Sequence, residues 1–202
     1  MKKIITISRQ FGAGAGEIGQ DIARILGYEY YDKEIILRSA RETNLNVSAL
    51  NKWDERVAVN IGFAQSLFDF YNRSLDEKLF EAQSQVIKQI AEKGNCVIVG
   101  RNANSILKYF DSTLHVLLTA DEEWRIERML KIYPDTTRKQ MTTQLHNIDK
   151  QRAKYCSYYT KTEFGHAENY DVCLNTGRLG IEQTKDTILS MACESLSLIK
   201  KK

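Results

Sequence analysis

Short apolar runs bounded by turn residues recur along this chain, at residues 4–8, 28–31, 96–100, 114–119 and 171–175. Runs such as Cys96-Val97-Ile98-Val99 and Leu114-His115-Val116-Leu117-Leu118 are near-continuous rather than alternating. Strands of that kind are covered on both faces, which is parallel-sheet behaviour. Between them the period becomes helical. Ile18, Ile22, Ile25 and Leu26 recur at helical spacing and end at Gly27, a residue suited to a C-cap. Over residues 63–92 the spacing of Leu67, Phe68, Phe70, Tyr71, Leu75, Leu79, Val86, Ile87 and Ile90 predicts one long helix or two consecutive ones. Gly94-Asn95 then turns the chain into the next strand. Asp121 is placed to cap a helix over 122–131, and residues 181–198 predict a closing helix. Strands alternating with helices predict an α/β fold, an open parallel sheet of about five strands flanked by helices. One proline, no repeat and no low-complexity stretch predict a single domain over 1–202. Ligands of such sheets bind beyond the carboxyl ends of the strands.

Composition and charge remove several alternatives. A net charge of +3 is too small to mark a nucleic-acid binder by itself, so no nucleic-acid partner is expected. No apolar run approaches a membrane span, and the first strand leaves no room for a signal-peptide core; a cytoplasmic protein with no membrane partner is expected. Cys96, Cys156, Cys173 and Cys193 lack paired metal-ligand spacing. Cys96 and Cys173 sit inside apolar runs, which predicts buried thiols. His115, His146 and His166 are scattered, so no metal site is expected from them.

The chemistry-bearing segment is the loop after the first strand, Gly12-Ala13-Gly14-Ala15-Gly16-Glu17, which runs directly into the first helix. Small residues let backbone N–H groups approach a phosphate, and the helix N-terminus adds partial positive charge. The usual phosphate loop reads G-x-x-x-x-G-K-[ST]. Setting Gly12-Ala13-Gly14 on the glycines before its lysine puts Ala15 at the lysine, Gly16 at the hydroxyl residue and Arg9 at the first glycine. Either another cation serves the phosphates, with Arg9 and later arginines as candidates, or the site binds nucleotide without efficient transfer. Glu17 favours the helix dipole, disfavours a phosphate beside it, and could instead help hold magnesium.

Further segments resemble the cytidylate kinases, particularly the divergent cytidylate kinase-like group, over nearly the whole chain. The start Ile5-Thr6-Ile7-Ser8-Arg9-Gln10-Phe11-Gly12-Ala13-Gly14 looks like that group's own form of the loop. Asp32 and Arg38 keep the family's six-residue spacing after the second strand, while Lys33 stands where the family has serine. Val99-Gly100-Arg101-Asn102 is similar to a strand ending in Gly-Arg-Asp, with Asn102 replacing the aspartate. Ile148-Asp149-Lys150-Gln151-Arg152 resembles the second half of an Arg-Asp-x-x-Asp-x-x-Arg lid motif, whose first pair is replaced by Leu145 and His146. Tyr170-Asp171-Val172-Cys173-Leu174-Asn175-Thr176 looks like the last strand, with Asn175 near an adenine pocket.

The resemblance implies a phosphate-loop kinase fold, ATP and Mg2+ as cofactors, and transfer to a nucleoside monophosphate, CMP or dCMP. It implies a helical substrate-side insertion over about 47–92, which could also serve a homodimer, and a lid over about 125–165. On this reading Arg128, Asp149 and Arg152 are catalytic, with Arg125 a second choice. Arg9, residues 12–17 and Asn175 bind ATP; Asp32, Lys33, Arg38, Arg101 and Asn102 bind the acceptor. Arginine suits such work because its planar fork holds phosphate oxygens bidentately. Plainer readings stand beside these. Arg125 and Arg128 could be solvated helix charges, and Asp32 could cap a helix starting at Lys33. Tyr155, Tyr158, Tyr159 and Phe164 could pack the core or lid. The missing lysine also leaves open a nucleotide-binding regulatory protein that kept the fold without the chemistry.

Overall fold

The computed structural model describes residues 4–32 and 77–199. Its sheet comprises β1 (Ile4–Arg9), β2 (Glu29–Tyr31), β3 (Cys96–Val99), β4 (Thr113–Thr119) and β5 (Val172–Asn175). The strands lie in the order β2-β3-β1-β4-β5. Every pairing is parallel. The central strand β1 sets Ile7 between Val99 and Val116, and Thr6 between Ile98 and His115. Helices follow as α1 (Ala15–Leu26), α2 (Glu77–Lys93), α3 (Ala103–Ile106), α4 (Glu122–Ile132), α5 (Arg138–Thr160), α6 (Thr176–Leu179) and α7 (Ile181–Ile199).

The apolar strands do bury both faces. On one, Ile5, Ile7, Val97, Val99, Val116 and Leu118 pack against Ile18, Ile22 and Ala23 of α1 and Ile188 and Ala192 of α7. On the other, Ile4, Cys96 and Ile98 meet Val86, Ile87 and Ile90 of α2, with Leu107 and Tyr155. A third cluster ties Phe11 to Ile126 and Met129 of α4 and Met141, Leu145 and Ile148 of α5. Burying each such side chain contributes roughly 1.5–3 kcal/mol. The third cluster is what sets α4 and α5 beside the loop after β1.

Each predicted strand is present, and α1 ends as expected. Gly27 takes φ 66° and its N–H donates to Ala23 O. Asp121 occupies the N-cap of α4, yet its carboxylate pairs with Arg178 at 3.2 Å rather than bonding the first-turn amides. α5 was not visible as a helix because one of its inward positions is Arg152, among Met141, Leu145, Ile148, Tyr155 and Cys156. Its start carries a capping box of Thr137 and Gln140. Cys173 corrects one expectation: it is exposed, because β5 is an edge strand, whereas Cys96 is buried as predicted. Of the helical region expected over 47–92, residues 47–76 lie outside the described residues.

Candidate active site

β1 ends at the sheet's carboxyl edge, and the loop to α1 folds tightly there. Gly12 and Gly14 adopt φ 81° and 83°, a left-handed backbone that costs other L-residues strain. Space demands glycine as well: a Cβ on Gly14 would lie 2.4 Å from Ile181 Cδ1, and one on Gly12 3.1 Å from Arg125 Cβ. Gly14 is the N-cap of α1 and offers no side-chain acceptor. The first-turn amides of Ala15, Gly16 and Glu17 therefore have no intrahelical partner and sit at the positive end of the helix dipole, where Glu17 is the one acidic side chain of the turn. Loop and first turn line a cavity of about 330 Å3. An anion fits this wall chemically.

Arg9, Arg128 and Arg152 border the same cavity, together with Glu17, Tyr30 and Asp32. Arg128, from α4, reaches Glu17 at 2.5 Å. Arg152, from α5, is only 6% exposed. Its Nη1 donates to Arg9 O at 3.0 Å, and its guanidinium carbon lies 5.9 Å from the Phe11 ring centroid. Its Nε is buried with no hydrogen-bond partner among the described residues. A buried charged donor lacking its acceptor costs stability, and a phosphate oxygen is an acceptor of the kind it lacks. Arg9 lies against Gly100, where a Cβ would fall 1.8 Å from Arg9 Nη1. That glycine gives the guanidinium its place at the strand ends. Burial pushes the Tyr30 phenol up to about 12, so it remains a neutral wall.

Beneath the loop sits a charged clamp. Arg125 is 5% exposed. Its Nη1 donates to Asp149 Oδ2 at 2.6 Å and to Phe11 O at 3.0 Å, and its Nε donates to Ala120 O at 3.0 Å. The other Asp149 oxygen accepts the Phe11 N–H at 2.7 Å. Both backbone groups of Phe11 are thus held by one ion pair, which joins α4 and α5 to the loop. Gln10 adds a further tie, its Oε1 accepting the Ala120 N–H at 3.1 Å.

The turn after β3 is strained. Gly100, Arg101 and Asn102 have φ of 84°, 59° and 54° in succession. Non-glycine residues in this region cost about 1–3 kcal/mol each and gather at functional sites. Arg101 is buried, and Asn102 Nδ2 has no partner among the described residues. Neither lines the loop cavity.

A cytidylate kinase-like family model matches residues 4–178. The chain belongs to the cytidylate kinase-like family. No curated protein matches the sequence. Among solved structures, an uncharacterized protein from Eubacterium ventriosum superposes with a TM-score of 0.72 at 22% identity, covering 96% of this chain and 99% of that one. Shikimate kinase from Bacteroides thetaiotaomicron gives 0.54 at 15% identity, over 95% and 98% of the two chains. A gluconokinase from Sinorhizobium meliloti gives 0.53 at 14%, over 98% and 97%. These likenesses establish the fold, that of the phosphate-loop kinases.

In this member of the cytidylate kinase-like family, the loop, Arg9, Asp32, Arg128 and Arg152 line one cavity. Asn175 does not: its Oδ1 caps α6 by accepting the Arg178 N–H at 3.1 Å, and it is absent from the cavity wall. Lys33 and Arg38 lie outside the described residues. Arg125 is no solvated charge, and its grip on Phe11, like that of Gln10 on Ala120, was missed by sequence. Partners more than 100 positions apart leave no periodic signal. Ala15, at the lysine position, is buried in the core cluster of α1. No helix among the described residues is long and apolar enough to cross a membrane.

Proposed function

We propose that this protein is an ATP-dependent kinase that phosphorylates a nucleoside monophosphate, with CMP or dCMP favoured by its family. The observation that carries the reading is the cavity where an uncapped helix N-terminus meets Arg9, Arg128 and the unsatisfied Arg152 Nε. Phosphoryl transfer needs in-line positioning and charge neutralisation more than covalent help, and three arginines supply what one lysine does elsewhere. An oxygen of the acceptor's phosphate attacks the γ-phosphorus. The bond from that phosphorus to the bridging oxygen breaks, giving ADP and a nucleoside diphosphate. Arg128 and Arg152 stabilise the charge spread over the transferring group.

Asp149 acts by positioning: its oxygens hold the loop and Arg125, not the acceptor. On this reading Arg101 and Asn102, strained at the end of β3, contact the acceptor, as their match to the family's motif suggests. Magnesium neutralises phosphate charge when bound with ATP. Glu17 and Asp32 border the cavity and suit it, directly or through its waters, because Gly16 offers no hydroxyl. Residues 125–165 serve as the lid, which excludes water once closed.

Ala15 and Gly16 favour a second reading, a nucleotide-binding regulatory protein with weak or no transfer. A coupled assay of ADP formation with ATP, Mg2+ and each nucleoside monophosphate separates the two. Acceptor-dependent ADP formation that drops at least a hundredfold in Arg128→Ala supports the kinase. ATP binding without ADP formation for any acceptor supports the regulator.

A further inference from the structure

The wall of the loop cavity carries an ion pair that the stability of the fold does not require. Arg128 reaches over from α4 and pairs with Glu17 of α1. The Glu17 side chain is 52% exposed. An ion pair with one partner this open adds little to stability, because water and salt screen it. Its position is the informative property. Arg128 Nε lies 3.9 Å from where a Cβ of Gly14 would stand, and Arg128 Nη2 lies 2.5 Å from Glu17 Oε2. Gly14 is the N-cap of α1, which begins at Ala15. The guanidinium therefore runs along the first turn, beside the amides of Ala15, Gly16 and Glu17 that suit a phosphate.

A carboxylate and a phosphate both accept the planar fork of an arginine, and donors engaged by one are withheld from the other. With Glu17 as the partner of Arg128, the cavity is less positive than its arginines suggest. Among the described residues Arg9, Arg128 and Arg152 are set against Glu17 and Asp32. A triphosphate without metal meets a like charge in the first turn and must compete with it for Arg128. A triphosphate that carries Mg2+ meets the same carboxylate as a ligand, since Mg2+ is bound through one or two carboxylates together with phosphate oxygens. In the usual loop a hydroxyl faces the metal, and a hydroxyl repels no bare phosphate. Here Gly16 holds that place and the neighbouring Glu17 carries a charge. The substitution turns a neutral ligand into one that discriminates.

We propose that Glu17 determines specificity at this cavity, selecting a metal-complexed nucleotide over a metal-free one. It holds Arg128 before nucleotide binds, and releases it to the phosphates on taking the nucleotide's cation as its partner instead. The assignment rests on the nucleotide site of the reading above, and its test does not depend on transfer. ATP is titrated calorimetrically into the full chain, once with Mg2+ and once with EDTA, for the native protein, Glu17→Gln, Arg128→Ala and the double variant. Glu17→Gln is expected to bind metal-free ATP at least fivefold more tightly than the native chain does, and Mg2+–ATP no more tightly. The ratio between the two conditions therefore falls, whereas a merely structural role for Glu17 would move both alike. On the Arg128→Ala background the same substitution is expected to gain less than twofold with metal-free ATP, because no arginine is left to release. An unchanged ratio in Glu17→Gln overturns the assignment. So does a gain that survives undiminished in the double variant, or a native chain that binds ATP under neither condition. The expected ratios in a protein that forms no ADP with any acceptor would count against the kinase reading and leave the role of Glu17 standing.

Discussion

Along β1, successive residues face two different solvents. Ile5 and Ile7 enter an apolar layer closed by α1 and α7. Thr6 and Ser8 enter a layer where each bonds a polar group, and where a cavity remains. At the strand's end a third environment begins, in which Arg125, Asp149 and Arg152 grip the backbone of Arg9 and Phe11. The apolar layer draws its stability from area removed from water, is non-directional, and tolerates repacking. The polar layer and the clamp are directional, and lose more when a single partner is removed. Both faces bury apolar clusters, while the polar side chains gather on the α2 face and at the sheet's carboxyl edge.

Substitutions can separate the three environments. The largest effect is expected at the clamp. Asp149→Ala leaves Arg125 buried without its counter-charge, and about 4 kcal/mol of stability is expected to be lost in urea unfolding. Nucleotide affinity should fall with it, because Phe11 loses the acceptor of its N–H. Retention of both would remove the clamp from the account. Next comes Ile7→Ala in the apolar layer, where a cavity in a close-packed core costs about 3 kcal/mol. Here the folded fraction should bind Mg2+–ATP nearly as the native protein does, since Ile7 does not itself line the loop cavity. A parallel loss of affinity would mean that the layers are not separable.

Thr6→Val keeps the shape and removes the hydroxyl beside His115. About 1 kcal/mol is expected, measured by the same unfolding. A loss near that of Ile7→Ala would show that the polar layer is ordinary core. The smallest effect concerns pH. Burial lowers the His115 pKa, and the nearby Asp171 carboxylate only partly opposes this. The fold therefore prefers the neutral ring, while the unfolded chain takes up a proton near the ordinary value of about 6.5. This contribution is complete above that value and is lost as pH falls toward the lowered one. The melting temperature should drop on acidification below about pH 6.5, and His115→Gln should flatten the slope. An unchanged slope would show that His115 is not the group responsible.

Most of the fold was legible in the sequence because it obeys local rules. Continuous β-branched runs gave the strands, a glycine gave the end of α1, and the glycine loop lay between the first strand and first helix. α5 escaped because an arginine occupies an inward position, which breaks the apolar stripe that periodicity relies on. The site was half legible. Motif spacing brought out Arg9, Asp32, Arg128 and Arg152, all of which line one cavity. The clamp was not, since whether an arginine is solvated or buried depends on an element 24 residues away in the case of Arg125 and Asp149. The polar face left a trace: Thr6, Ser8 and His115 are polar residues inside runs that otherwise read as buried strands. Such local contradictions are expected where function overrides packing.

The central claim is that arginines at this cavity do the phosphate-binding work of the absent lysine. Calorimetric titration of Mg2+–ATP into the native chain and into Arg128→Ala tests it most directly. Arg128 is the best position because it pairs with Glu17 at the cavity rim, so its removal spares the core. The account predicts measurable binding by the native chain and at least tenfold weaker binding by the variant, with melting temperature unchanged. Equal affinity in the two proteins would contradict it.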